Sequence, residues 1–267
     1  MKNNILTCPA EWLESKINIV MVGAGGTGSN VLDALMSLHL GLLGVGHPHG
    51  IKVTLIDNDI VELPNIGRQR FTHCDIGNNK AQTLINRYNI AFNLNWKAEP
   101  IFFEPDEYFD YESYPDLLIS CVDTPASRSA IGQYFKHQEI HHHDSLWMDF
   151  GNGDTTGQVV LGHISHPNNI LPNVFDLYPE LSSMEDDNKP SCSLEEAIQN
   201  QDLYINRTLA DAGVNLLWQL LRKGSIDHHG VFLNLTTSEL KPLKIDPEIW
   251  SFMGYERTEL DEISDSE

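Results

Sequence analysis

Hydrophobic and polar positions along the chain alternate between two periods. Ile17–Val22 (INIVMV) is a short, largely apolar run ending in glycines, the pattern of a buried parallel strand. Val31, Leu32, Leu35 and Leu38 then recur at helical spacing, with Ser29 and Asn30 as candidate caps. A Gly- and His-rich loop from Gly41 to Gly50 leads to a second strand, Ile51–Asp57, and completes a βαβ unit. Beyond it the pattern predicts a helix from about Asn79 to Phe92, a strand near Lys97–Phe103, and a strand over Asp116–Val122. Pro125 and Ala126 open a further helix, since proline suits a first helical turn. Strands follow at Leu146–Phe150, Gly157–Ile164 and Val231–Thr237, and a long helix at Leu203–Leu221. The order predicts an α/β fold with a doubly wound, mostly parallel sheet and a mixed or antiparallel C-terminal extension. One domain over residues 1–250 suffices. Residues 251–267 form an acidic tail, read as a solvated, frayed terminus.

Composition narrows the function. The 267 residues carry a net charge of −21, which disfavours nucleic acid and anionic membrane as partners. A bound anion therefore requires a local cluster of cations. The start lacks a basic region followed by an apolar run, and no stretch has the length of a membrane span, so a cytoplasmic protein is expected. Cys8, Cys74, Cys121 and Cys192 are far apart with no CxxC pair, which argues against a disulfide framework or a cysteine-built zinc site.

The turn after the first strand reads GAGGTGS, with Gly23, Gly25 and Gly28 in GxGxxG register and an additional Gly26. Glycines let the backbone turn tightly and approach a phosphate, while the helix that follows points its free N–H groups at the anion. This makes the sheet Rossmann-like. Asp57, at the end of the second strand, is either a ribose acceptor or a strand-end turn residue. A dinucleotide oxidoreductase and a triphosphate-splitting enzyme share everything to this point. Asn65, Arg68, Gln69, Arg70 and Lys80 then follow within 16 positions, in a chain otherwise short of cations. That is the charge neutralisation a triphosphate requires.

GAGGTGS, LIDND with Asp57, NIGRQ (Asn65–Gln69), DIG with Lys80, and CVDTPASR around Asp123 resemble, in order, the motifs of the ThiF/MoeB and ubiquitin-activating adenylyltransferases. The resemblance covers residues 17–128 in detail and extends more loosely to the long late helix. Within that family, PSCS followed by QDLYIN (201–206) is similar to the ThiF-type proteins of the PRTRC cassette, whose other members include a small ubiquitin-like protein and a JAB-type peptidase. The resemblance implies ATP as the nucleotide, lined by Gly23, Gly25, Gly26 and Gly28. Asp57 would hold the ribose. Asn65, Arg68 and Lys80, with Gln69 beside them, would meet the phosphates, and Asp123 would bind Mg²⁺. Arg68 is also the expected catalytic side chain. Asp123 has the alternative role of helix cap, because Pro125 follows closely. A small ubiquitin-like carrier protein and a homodimer are the implied partners.

Cys192, in a polar segment before the long helix, is the candidate for an acyl thioester; Lys189 favours its thiolate and Asp186, Asp187, Glu195 and Glu196 oppose it. Cys121, in an apolar strand, and Cys8, near a frayed end, read as bystanders, and Cys74 as structural. Two departures from the family stand out. No arginine precedes Arg68, so an N-terminal arginine reaching across a dimer has no counterpart, unless Lys16 substitutes for it. The CxxC pairs of zinc-binding members are missing as well. His137 and the run His141–Asp144 read as a polar loop, since three adjacent histidines cannot face one ion. Alternatives are adenylation of a small-molecule or tRNA-linked carboxylate without a thioester, a non-catalytic scaffold, and an NAD-dependent oxidoreductase.

Overall fold

A computed structural model describes residues 4–109, 114–136, 145–164, 171–183 and 201–255. In chain order its elements are β1 (Leu6–Thr7), α1 (Ala10–Glu14), β2 (Ile17–Val22), α2 (Gly26–Gly44), β3 (Ile51–Ile56), α3 (Lys80–Phe92), β4 (Lys97–Glu99), α4 (Pro105–Tyr108), β5 (Leu117–Ser120), α5 (Pro125–Lys136), β6 (Leu146–Asn152), β7 (Thr156–His163), α6 (Val174–Leu177), α7 (Ile205–Lys223), β8 (Ser225–Ile226), β9 (His228–Asn234), β10 (Glu239–Lys244) and α8 (Pro247–Phe252). Among the described residues, an eight-stranded sheet has the order β10-β9-β7-β6-β5-β2-β3-β4. The five strands from β6 to β4 pair in parallel, and β7, β9 and β10 continue antiparallel. The expected architecture is therefore present.

The centre is apolar on both faces, as parallel strands covered by helices must be. All four residues of β5 are buried, as are Met21 of β2 and Leu55 of β3. Helix α2 packs beside α7 on one side of the sheet, and Gly213 of α7 sits against the Phe150 ring with no room for a Cβ. Helix α3 starts at its Asn79 cap, whose Oδ1 accepts from the Gln82 amide at 2.9 Å, and ends on Asn93 in the left-handed conformation.

Several boundaries differ from the pattern-based expectation. Ser29 and Asn30 are not caps: α2 begins at Gly26, and both side chains donate back to the Gly26 carbonyl. The same helix runs on to Gly44, shortening the expected Gly/His loop. The expected strand to Phe103 stops at Glu99, before Pro100, which lacks the N–H a ladder needs. The N-terminus around Cys8 is not frayed, because β1 pairs antiparallel with β8 and Cys8 is buried. Strand β10 and helix α8 follow as elements without an expected counterpart, the strand having exposed residues at all positions but Leu243. The acidic residues 256–267 lie outside the described residues.

Candidate nucleotide site

Strand β2 has β3 on one side and β5 on the other, so the sheet reverses its winding direction between β2 and β5. At such a switch point the loops leaving the strand ends part and leave a crevice. A cleft of about 310 Å³ lies there, lined by Gly23, Asp57, Asp59, Phe102, Phe103 and Ile131 among others. Its walls are apolar from the segment after β4 and from α5, and acidic from the end of β3.

The glycine turn is shaped by its neighbours. Gly23 has φ +94°, and a Cβ there would lie 2.6 Å from the Cys121 carbonyl oxygen. A Cβ at Gly28 would overlap the Gly23 carbonyl, and one at Gly26 would come 2.9 Å from Asn206 Nδ2. Gly25 is different: a Cβ there would meet nothing within 4 Å. Three glycines are thus demanded by the protein's own packing, and the fourth faces open space. Gly25 is also the N-cap of α2, and no side chain caps that helix. Its leading N–H groups are left to solvent or to an anion.

Asp57 braces the turn. Its Oδ2 accepts from the Ala24 amide at 2.6 Å and its Oδ1 from the Asp59 amide at 2.8 Å. Burial pushes its carboxyl above the usual carboxylate range, opposed by the Ala24 amide and by Lys80. Lys80 is itself buried, with Nζ 2.9 Å from Asp59 Oδ2. Asn65 places its Oδ1 on the Glu62 amide at 2.8 Å in a small capping turn, which orients the rest of its amide. Gln69 is buried, and its Oε1 has no hydrogen-bond partner. Arg70 Nη2 pairs with Asp33 of α2 at 3.0 Å. Asp123 is exposed, one residue beyond Val122 on the cleft wall. Thr124 Oγ1 accepts from the Ser127 amide at 3.1 Å and so serves as a cap for α5.

Arg68 connects to the turn through residues that sequence reading left aside. Its Nη1 donates to Gln201 Oε1 at 3.0 Å, and its buried Nε has no hydrogen-bond partner among the described residues. Asn206 Nδ2 donates to the same oxygen at 2.9 Å, and Thr27 Oγ1 donates to Asn206 Oδ1 at 2.8 Å. Gln201 and Asn206 are the first and last residues of QDLYIN; the motif was visible, but not which of its members turn inward. Beside this network Arg128 and Asp149 form a buried pair at 2.9 Å on the wall of a second, larger cavity of about 650 Å³.

Of the cysteines, Cys121 is fully buried and its thiol is pushed well up by that burial. Cys8 is raised to about 11 for the same reason. Cys74 is exposed, and its turn is held by Thr72 and Asp75. Cys192 lies outside the described residues, as do His137 and His141–Asp144.

Residues 11–245 match the ThiF family. The chain belongs to the ThiF family. The adenylyltransferase and sulfurtransferase UBA4 of Debaryomyces hansenii is 33% identical to it over 120 residues, 43% of this chain and 24% of the relative. The Nedd8-activating enzyme E1 catalytic subunit of Drosophila melanogaster is 38% identical over 73 residues, 27% of this chain and 14% of that protein. This ThiF-family chain thus spans about a quarter or less of the length of these relatives. Among solved structures, E. coli MccB with MccA-N7isoASN aligns with TM-score 0.56 at 17% identity, covering 86% of this chain and 64% of MccB. MccB with ATP aligns with TM-score 0.54 at 15% identity, over the same shares of the two chains. These likenesses establish the fold. No helix among the described residues is long and apolar enough to cross a membrane.

Proposed function

We propose that residues 1–250 form an ATP-dependent adenylyltransferase domain that activates the C-terminal carboxylate of a small ubiquitin-like protein. The observation that carries this reading is the open face of Gly25, at an uncapped helix start on the sheet's switch point, with Arg68 tied to the same helix turn through Gln201 and Asn206. A nicotinamide dinucleotide would use the same turn; the arginine tied to the helix start favours the more highly charged triphosphate.

In the proposed reaction a carboxylate oxygen of the carrier attacks the α-phosphorus of ATP. A C(O)O–P bond forms, the bond to the β-phosphate oxygen breaks, and pyrophosphate leaves. Two anions must approach and charge accumulates on the departing group, so fixed cations favour the transition state. Arg68 supplies a guanidinium whose partner among the described residues is the neutral Gln201 carboxamide. Lys80 would supply a second cation on exchanging its pair with Asp59 for a phosphate. The glycine turn offers backbone N–H groups to the phosphates. Asp57 retains lone pairs for ribose hydroxyls beyond its two backbone bonds.

The donor set also fits Mg²⁺. Asp123, an exposed carboxylate next to the cleft wall, would be the residue that holds the ion. A carboxylate donor suits an ion that takes one or two carboxylates and completes its shell with substrate phosphates and water. When bound, the ion would add charge stabilisation on the phosphate oxygens. The names of the relatives support the activity, and those of a Nedd8-activating subunit support a ubiquitin-like substrate. Passage of the acyl group to Cys192 and a homodimeric assembly belong to the same proposal.

The test is pyrophosphate exchange into ATP, measured with and without a candidate ubiquitin-like carrier. Exchange should depend on the carrier and be abolished by Arg68→Ala or Asp123→Ala with the far-ultraviolet spectrum unchanged. Exchange retained in both variants would overturn the assignment. A DTT-sensitive adduct with the carrier, lost in Cys192→Ser and kept in Cys74→Ser, tests the thioester step.

A further inference from the structure

Among the described residues, the Arg68 guanidinium hydrogen-bonds to one neutral atom, Gln201 Oε1. Gln201 Oε1 accepts from Arg68 Nη1 at 3.0 Å and from Asn206 Nδ2 at 2.9 Å, while Gln201 Nε2 donates to the Gly153 carbonyl at 3.3 Å. Both ends of the carboxamide are therefore fixed. Asn206 is anchored in turn: it is 2% exposed, and its Oδ1 accepts from Thr27 Oγ1 at 2.8 Å and from Asn152 Nδ2 at 3.0 Å. Its amide also lies where a Cβ on Gly26 would go. The chain Thr27, Asn206, Gln201, Arg68 thus runs from the first turn of α2 to the guanidinium without any charge before its end.

That neutrality has a consequence. A carboxylate at the position of Gln201 would hold Arg68 in a charge-assisted pair about twice as strong as a neutral bond and would compete with any phosphate. A carboxamide fixes direction and leaves the full positive charge of the guanidinium for an incoming anion. Resting on the adenylyltransferase reading above, we propose that Gln201 is a positioning residue that aims Arg68 at the ATP triphosphate without neutralising it.

The experiment measures MgATP binding to the full chain by isothermal titration calorimetry, so it requires no carrier and no turnover. At pH 8 Gln201→Glu should weaken binding about ten-fold, and Gln201→Ala about three-fold or more, because one traps the guanidinium and the other frees it. The deficit of Gln201→Glu relative to the parent should persist as pH is lowered to 6, because a carboxyl paired with a guanidinium stays ionised below its ordinary range. In an Arg68→Ala background both substitutions should change affinity by less than about two-fold, since the group they act through is gone. Circular dichroism reports whether each variant is folded; Gln201→Glu is nearly isosteric and keeps the oxygen that Asn206 requires. Equal losses with and without Arg68, or parent-like affinity in both Gln201 variants, would overturn the inference while leaving the proposed function standing. Failure of the parent itself to bind MgATP would overturn both.

Discussion

Asp57 Oδ2 accepts from the Ala24 amide at 2.6 Å, joining the end of β3 to the glycine turn that follows β2. The same carboxylate fixes the Asp59 amide, and Asp59 in turn fixes Lys80. One side chain therefore sets the positions of the turn and, at one remove, of a candidate phosphate-binding cation. Asp57→Ala leaves two backbone amides without their acceptor and should lower stability by about 2 kcal/mol in urea denaturation. MgATP affinity should fall further than stability explains, because the turn itself loosens. Unchanged ATP affinity in a folded Asp57→Ala variant would remove Asp57 from the site.

The four glycines divide by what occupies their Cβ direction. Gly28→Ala collides with the Gly23 backbone, which cannot yield as a flexible side chain would, and should cost about 3 kcal/mol. Gly25→Ala places its Cβ in open space, so it should cost less stability than Gly28→Ala. Its methyl would nonetheless stand where a phosphate must approach, and ATP binding should drop by about ten-fold or more. Thermal melts paired with calorimetry on both variants give the comparison. Loss of stability without loss of binding in Gly25→Ala would show that the open face is not a ligand face.

These contrasts mark what a chain of residues can and cannot reveal. The β2 turn α2 β3 unit was legible because its cause is local: an apolar run, glycines in fixed register and a 3.6-residue repeat. Strand β10 was hidden because it is an edge strand, exposed at every residue but Leu243 and interrupted by Pro242, so no alternation marks it. Asp57 and Lys80 could be named from their motifs, yet their bonds to Ala24 and Asp59 depend on how two loops meet. Arg68 could be placed near phosphate, whereas Arg70 two residues on is drawn to Asp33, a partner 37 positions away in the chain. Gln201 and Asn206 acquire their meaning only when α7 packs beside α2, which no local period encodes.

Arg128 and Asp149 supply a test of the sheet beside the site. Asp149 is 1% exposed; it accepts from Arg128 Nε at 2.9 Å and from Ser120 Oγ at 2.6 Å. Removing one member leaves the other charged, buried and unpaired. Asp149→Leu should therefore cost about 3–5 kcal/mol in denaturant unfolding, while the double replacement Arg128→Met with Asp149→Leu should cost less than Arg128→Met or Asp149→Leu alone. Additive losses in that cycle would mean that the two charges do not depend on each other.

His229 links β9 to the C-terminal helix α8. The Leu161 carbonyl can only accept and the Trp250 indole can only donate, so Nδ1 carries the proton and Nε2 receives the indole N–H, at 2.7 Å and 2.8 Å. A second proton would displace the indole. Burial accordingly lowers the imidazole pKa from 6.5 to about 4, with His163 and His228 acting in the same direction and the Leu161 bond opposing. Below pH 6.5 the unfolded chain takes up a proton that the folded chain refuses until about pH 4. Stability is thus fully present above pH 6.5 and is lost on acidification toward pH 4, by about 3 kcal/mol from this group. His39, whose pKa burial also lowers, adds a slope of the same sign, so the diagnostic is the difference between parent and variant. His229→Gln, which offers an amide to the same two partners but does not titrate, should flatten the fall in urea-unfolding free energy between pH 7 and pH 4.5. An undiminished slope in that variant would place the acid sensitivity elsewhere.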